Sequence, residues 1–146
     1  MKKATFLHII LLVLTVLALT SIAADGGRKF TTTLTGAAEI PGPGDPDGSG
    51  TATITLNHGQ GEVCWEIHVT GISLVNTAAH VHVIGPLGFG GVVVPLTGPD
   101  ATGHSSGCID ADPNLIKAII QNPEGYYVNV HNIDYPGGAL RGDLSK

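Results

Sequence analysis

The sequence predicts an all-β fold, a two-sheet β-sandwich of the Greek-key type with one short helix. The chain after residue 23 is rich in Gly, Thr and Val, and its apolar runs are short and broken by turn residues. Several of these runs alternate apolar and polar residues, as strands with one buried face do. We count about seven strands, and such a set buries its apolar faces most simply as two packed sheets.

Residues 1–23 have the features of a secretory signal peptide. Two lysines follow the first residue, an almost unbroken apolar run comes next, and small residues precede the expected cleavage site. We predict cleavage after Ala23, with cleavage after Ala24 as the alternative. An uncleaved membrane anchor is disfavoured because the apolar run is shorter than the about 20 residues of a membrane span. The domain then covers residues 24–146, in a secreted or periplasmic protein.

Loss of the signal peptide removes two of the seven basic residues and none of the 12 acidic ones, so that the net charge becomes about −7. A surface of this sign repels nucleic acid and anionic lipid. We therefore expect neither nucleic acid nor, after signal cleavage, a membrane as a partner. The remaining chain is long enough for one domain with its own core.

Turn residues divide the mature chain into strands and loops. Residues 57–61 form a turn that makes a hairpin of the second and third strands. Residues 42–50 and 97–107 are rich in Gly, Pro, Asp and Ser and are predicted as loops. The predicted strands are Arg28–Thr35, Thr51–Leu56, Glu62–Thr70, Ala78–Gly85, Val92–Leu96, Tyr126–His131 and Ala139–Leu144.

One segment has the pattern of a helix, from Asp112 to about Gln121. Asp112 can cap its first turn, Pro113 suits the first helical position, and Pro123 follows its end. An apolar stripe runs along one face, and we expect it to pack over one end of the sandwich. The stripe consists of Leu115, Ile116, Ile119 and Ile120.

The two cysteines, Cys64 and Cys108, are predicted to form a disulfide. A lone cysteine pair in an exported protein favours this pairing. Two free thiols or two thiolate metal ligands are the alternatives. Neither cysteine has a close Cys or His partner at zinc-finger spacing, and this disfavours the thiolate site.

Histidines supply the candidate site. Along the strand that contains them, His80 and His82 point to one side, whereas Ala79, Val81 and Val83 point to the other and can enter a core. Two imidazoles about 7 Å apart along a strand can reach one metal ion if their rings lean together. A third histidine, His131, ends a later strand. If the two strands are neighbours, the three histidines can bind one copper or zinc ion. The alternative is that His80 and His82 are two solvated histidines on a sheet face.

The chain resembles the chordin-type (CHRD) domain family over nearly all of its mature length. The resemblance implies a secreted β-sandwich domain, of the kind found in the extracellular regulator chordin and in many exported bacterial proteins. The Gly/Pro/Asp-rich stretch after Pro41 departs from the family pattern, which often continues directly into the next strand. The matching segments are Leu34–Pro41, Ala79–His82 with Gly85, Gly91–Leu96, Tyr127–His131 and Pro136–Leu144.

A weaker, local resemblance is to copper-zinc superoxide dismutase, also a β-sandwich. His80-Val81-His82 and Val130-His131 are similar to its copper-ligand strands, and His104 is similar to the histidine that bridges its two metals. Arg141 is similar to the arginine that steers anions to the copper. The dense zinc-ligand loop of that enzyme has no match here, which argues against a two-metal enzyme.

Several other polar residues are weaker candidates. Glu39 or His104 is a candidate fourth metal group, and Glu39 could instead bond the second nitrogen of a ligand histidine or lie solvated in a loop. For Arg141 a salt bridge to Asp143 or Asp134 is favoured over anion steering. The remaining histidines are assigned no role: His58 and His68 are expected to be exposed, and His8 leaves with the signal peptide.

Two classes of function follow. The first is an exported metal-binding domain, with copper favoured over zinc and with superoxide-dismutase-like activity as a possible extension. The second is a metal-free extracellular module that binds another protein or serves adhesion, as the chordin relation implies. A Ser-His-Asp hydrolase is disfavoured because the sequence has no Gly-x-Ser-x-Gly elbow.

Overall fold

The computed structural model describes residues 26–146, and the predicted signal peptide lies outside them. The described chain forms one sheet of eight antiparallel strands, one α-helix and two short 3-10 helices at Gly36–Ala38 and Pro123–Gly125. Within these residues no helix is long and apolar enough to cross a membrane. The elements are β1 (Arg28–Thr35), β2 (Ser49–Asn57), β3 (Glu62–Thr70), β4 (Ala78–Val83), β5 (Val92–Leu96), β6 (His104–Asp110), α1 (Pro113–Gln121), β7 (Tyr126–His131) and β8 (Leu140–Asp143).

The strands lie in the order β5-β4-β7-β8-β1-β2-β3-β6. The two four-stranded halves are joined where β1 meets β8, with Thr35 opposite Arg141. Apolar residues from both halves form one continuous core between them. The connections β3–β4, β5–β6 and β6–β7 pass from one half to the other, as Greek-key connections do. The predicted all-β sandwich is confirmed, with the two layers formed by a single nearly closed sheet.

Alternation along β2 and β3 builds much of the core. Ala52, Ile54 and Leu56 of β2 are buried, as are four residues of β3, and the residues between them are half-buried or exposed. This is the pattern of strands that cover a core on one face and meet water on the other. The buried residues of β3 are Val63, Trp65, Ile67 and Val69.

The prediction of a loop over residues 97–107 is wrong at its end, because residues 104–107 belong to the strand β6. β6 begins at His104 and pairs with β3 through Asp110. Its Ser- and Gly-rich sequence lacks an apolar signal because the core side is filled by Trp65. A Cβ at Gly107 would lie 2.6 Å from the Trp65 ring, and the Trp65 indole N–H donates to Ser105 Oγ at 2.9 Å. The partner strand, not the local sequence, makes this segment a strand.

The predicted disulfide between Cys64 and Cys108 is confirmed. The two residues are direct partners in the β3–β6 pairing, so that the bond joins neighbouring strands on the outer face. Both sulfur atoms are therefore used in the bond and neither serves as a metal ligand.

The predicted helix is confirmed as α1. Its backbone starts under a cap in which the Asp112 carboxylate accepts from the Asn114 N–H at 2.8 Å. Ile116 and Ile119 are fully buried, and Leu115 and Ile120 pack against the core with part of their surface exposed. The helix contacts β2 and β3 next to the turn that joins them, at one end of the sandwich.

Candidate functional site

Pairing between β4 and β7 brings the three predicted histidines together. His80 and His82 lie two residues apart on β4, and His131 of β7 lies opposite Ala78. The ring centroids are 5.5 Å apart for His80–His82, 5.1 Å for His80–His131 and 6.1 Å for His82–His131. One ring nitrogen from each histidine lies within 4.8 Å of the other two. The condition that the sequence left open, that these strands are neighbours, is met.

The apolar side of β4 is buried only in part. Ala79 and Val81 are fully buried in the core, as expected. Val83 is 36% exposed, so the expectation that it enters the core is wrong. It is the last residue of the strand, and the chain turns away there into the glycine-rich segment before β5.

Backbone carbonyls orient two of the rings. His82 Nδ1 lies 2.9 Å from the Gly90 carbonyl oxygen, and His131 Nδ1 lies 3.1 Å from the Pro136 carbonyl oxygen. A carbonyl only accepts, so each Nδ1 carries the proton and the Nε2 of each neutral ring has a free lone pair. His82 Nε2, His131 Nε2 and His80 Nδ1 are buried and have no hydrogen-bond partner among residues 26–146.

Burial favours the neutral form of the three imidazoles. It is the largest cause that lowers the pKa of His80, His82 and His131 below the ordinary value. Neighbouring positive charge lowers these pKa values further. The pKa of His80 is lowered by the other two histidines, that of His82 by Arg141, and that of His131 by His82. The hydrogen bonds to Gly90 and Pro136 act in the opposite direction. The neutral form is the form that binds metals.

Tyr127 and Arg141 support one side of the cluster. The Tyr127 ring stacks on His82, with centroids 4.8 Å apart and ring planes 13° from parallel. The Arg141 guanidinium carbon lies 3.8 Å from the centre of the same ring. Since β4 and β8 flank β7, the imidazole and the guanidinium approach the tyrosine from strands on either side. The stack restrains the orientation of His82.

Arg141 is buried, and two of its side-chain nitrogens donate hydrogen bonds within the protein. It is 1% exposed, its Nε donates to Asp143 Oδ1 at 2.7 Å, and Nη1 donates to the Gly88 carbonyl at 2.7 Å. The salt bridge to Asp143 that the sequence favoured is present, and Asp134 is not the partner. A guanidinium held in this way connects β8 to the loop before β5.

Glu39 lies beside the cluster and does not join it. Its carboxylate is buried and accepts from the Asn129 side-chain N–H at 2.6 Å; Asn129 is the strand partner of His80. A Cβ at Gly138 would lie 2.5 Å from Glu39 Oε2, so only glycine leaves room for this carboxylate. Burial raises the Glu39 pKa to about 7, against the opposing effects of the Asn129 hydrogen bond and the Arg141 charge.

Neither predicted role of Glu39 toward the histidines is found in the geometry. The second nitrogens of His82 and His131 bond the carbonyls of Gly90 and Pro136, and the carboxylate is outside the group of mutually close ligand atoms. The alternative of a solvated loop acid is also wrong, because Glu39 is 7% exposed.

The structure does not bring His104 to the cluster. His104 begins β6 and is paired with His68 of β3, in the other half of the sandwich. Sequence spacing could not place His104, because the sequence predicts a loop for the segment that contains it.

The sequence patterns above do not predict the residues that support the cluster, although two of them carry a signal. Tyr127 and Asn129 precede His131 at intervals of two, and alternation along β7 puts all three on one face. Gly90 and Pro136 act through their backbone carbonyls. Any residue type offers a carbonyl, so no side-chain pattern could have indicated them.

The eight-stranded sandwich, the cross-strand disulfide and the outward histidine cluster define a small extracellular-type β domain. The family model for the CHRD domain matches residues 30–144, nearly the whole of the described chain. The chain belongs to the CHRD domain family. No curated protein and no solved structure shows significant similarity to it.

Proposed function

We propose that this CHRD-domain protein is exported and binds one copper ion through His80, His82 and His131, with zinc as the competing metal. The supporting observations are the convergence of the three rings, their burial and the orientation of two of them by backbone carbonyls. A ligand histidine in proteins almost always donates its other ring N–H to a carbonyl, carboxylate or water. His82 and His131 both have this arrangement.

The observation that carries the proposal is the set of three buried ring nitrogens without a partner in residues 26–146. Leaving a buried polar atom unpaired costs about 1–3 kcal/mol, and three such atoms at one place are unusual in a folded domain. A metal ion that accepts all three lone pairs removes this cost.

The spacing suits a metal after a small adjustment of the rings. Ligand nitrogens about 2.1 Å from a tetrahedral ion lie about 3.4 Å from each other, somewhat closer than the 4.8 Å limit within which these atoms lie. Rotation of the imidazoles about their side-chain bonds can close that difference. Three imidazoles leave a fourth position open, and intrinsic affinity favours Cu(II) over Zn(II).

Export is supported by the signal-peptide pattern of residues 1–23, by the disulfide and by membership in a family of extracellular domains. Copper with an open position supplies redox chemistry toward small oxidants, as the resemblance to superoxide dismutase implies. Arg141, however, is buried against Tyr127 and Gly88, so the anion-steering part of that resemblance lacks support.

The test is a copper titration of the metal-free mature protein. We expect His82→Ala and His131→Ala each to weaken the tightest copper equivalent at least tenfold, whereas His58→Ala, which removes an exposed histidine, leaves it unchanged. Because the pKa values of the rings are lowered, proton competition should weaken binding only below about pH 6.5. Unchanged copper affinity in both variants would show that the site is elsewhere or absent.

A metal-free protein-binding role is the second candidate, favoured by an exposed apolar group near the cluster. Ile40, Leu87 and Phe89 are 45%, 74% and 40% exposed. The Ile40 side chain lies against Gly88, which stands between Leu87 and Phe89 in the sequence. Exposed apolar residues that lie together mark interaction surfaces. Capture of an extracellular protein by the metal-free domain, and its loss on Leu87→Ser, would support this role over the first.

A further inference from the structure

A second group of metal-binding side chains lies on the other half of the sandwich. Glu66 and His68 of β3 and His104 of β6 each place one ligand atom within 4.8 Å of the other two. His68 Nε2 lies 3.2 Å from Glu66 Oε1, and the rings of His68 and His104 are 4.6 Å apart between centroids. The three side chains are on the outer face, at an edge of the sheet.

The strand pairing explains why the two histidines meet. His68 and His104 are directly opposite each other in the β3–β6 ladder. The next pair, Val69 and Gly103, is hydrogen-bonded, with Val69 N donating to Gly103 O at 2.8 Å. Hydrogen-bonded and non-hydrogen-bonded pairs alternate, so His68–His104 is a non-hydrogen-bonded pair, the type whose side chains come closest.

The disulfide fixes this register. Cys64 and Cys108 are strand partners four residues along the same two strands, on the same face as His68 and His104. A slip of one residue would turn His104 to the other face, and the covalent bond prevents it. Asp100 adds a second restraint, since its Oδ1 accepts from the His104 backbone N–H at 3.3 Å.

We propose that Glu66, His68 and His104 form a second metal site, which binds a divalent transition metal ion such as Zn(II). Two imidazoles and one carboxylate are a donor set that zinc uses in proteins. The His68 and Glu66 side chains are 57% and 61% exposed, so water completes the coordination. The site is therefore more open to solvent than the cluster of His80, His82 and His131.

The second site uses three residues that the first site does not use, Glu66, His68 and His104. A simple surface ion pair would account for Glu66 and His68, because exposed pairs of this kind are common. It does not account for His104, whose ring lies over His68 from the neighbouring strand. A metal ion uses all three groups at once.

The experiment measures zinc bound per protein by equilibrium dialysis and mass spectrometry of the metal-free, disulfide-bonded protein. Wild type should bind two equivalents. His68→Ala and His104→Ala should each bind one, with at least a tenfold loss of affinity at the second site, and His58→Ala should still bind two. Zinc should also shift the ring resonances of His68 and His104 in a variant that carries both His80→Ala and His131→Ala.

The two sites can fail separately. If the variant with both His80→Ala and His131→Ala binds no zinc while wild type binds one equivalent, the second site is absent and the first stands. If wild type binds one equivalent that is lost in His68→Ala and kept in that double variant, the second site stands and the first is absent. Two equivalents in both His68→Ala and His104→Ala would overturn the assignment to this face.

Discussion

At the scale of single residues, the histidine cluster and Glu39 respond to pH in opposite directions. Burial disfavours the charged form of either kind of group, so it lowers the pKa of the three imidazoles and raises that of the carboxyl group to about 7. In the metal-free protein the three histidines therefore lower the free energy of unfolding as the pH falls below about 6.5. Glu39 lowers it as the pH rises.

We expect Glu39→Gln to stabilise the protein more at pH 8 than at pH 4.5. The folded-state pKa is raised from 4.5 to about 7, so the stabilising contribution of the neutral carboxyl group is complete below 4.5 and is lost as the pH rises through 7. Glutamine keeps an acceptor for Asn129 and cannot ionise. We compare the free energy of unfolding of the variant with that of wild type at each pH. This difference should be larger at pH 8 than at pH 4.5, in favour of the variant, by more than about 1 kcal/mol.

Urea unfolding at both pH values measures this difference. Asp110→Asn, which replaces a carboxylate by an amide at an exposed position of β6, is the matched control. A difference for Glu39→Gln that is the same at pH 4.5 and pH 8 would mean that the carboxylate is solvated in the folded state.

At the scale of elements, β4 and β7 carry the residues of the first candidate site, and β3 and β6 carry those of the second. In each case an antiparallel pair presents outward histidines while its inward residues join the core. Side chains that line one face of neighbouring strands are held by the ladder between them. Stability of the sandwich thereby fixes the distances between the candidate ligands.

The helix α1 supplies a test of packing at this scale. Ile119 is fully buried against the core, and Ile120, its neighbour in sequence, is only partly buried. Ile119→Ala should lower the free energy of unfolding by about 2–5 kcal/mol, because it removes buried methylenes and leaves a cavity.

Ile120→Ala is the matched control, since it makes the same chemical change at a less buried position. Its cost should be clearly smaller in the same urea unfolding experiment. Equal costs for the two changes, or a loss below about 1 kcal/mol for Ile119→Ala, would contradict the packing of the helix on β2 and β3.

At the scale of the whole molecule, the disulfide between Cys64 and Cys108 closes a loop of 44 positions that runs from β3 to β6. Between Cys64 and Cys108 the chain crosses to the other half, forms β4 and β5 and returns as β6. A crosslink over such a loop restricts the unfolded chain far more than the folded one, and the chain-entropy model gives about 4 kcal/mol for this length.

We therefore expect replacement of both cysteines by serine to lower the free energy of unfolding by about 4 kcal/mol. Thiol labelling of the unreduced, denatured wild-type protein should find no free cysteine, and reduction should expose both. Two labelled cysteines before reduction, in protein collected from outside the cytoplasm, would reject the bond in the exported form.

Much of the fold could be predicted because local patterns carry it. Alternation identified the core faces of β2 and β3, and Asp112 with Pro113 marked the start of α1. Both signals depend on residues close together in sequence, where the backbone geometry of a strand or a helix start sets which side chains share a face. The strand β6 could not be predicted from such local patterns. Its residues Ser105 and Gly107 are suited to contact with Trp65, which belongs to a different strand.

For the candidate site, the local sequence was enough to predict that His80 and His82 share a face, because alternation is a property of one strand. The pairing of β7 with β4, which brings His131 to them, and the position of His104 opposite His68 depend on how distant strands pack. The burial of Arg141 depends on that packing as well. Which strands become neighbours depends on how the whole chain covers its apolar faces, and the residues of any one segment do not encode that pairing.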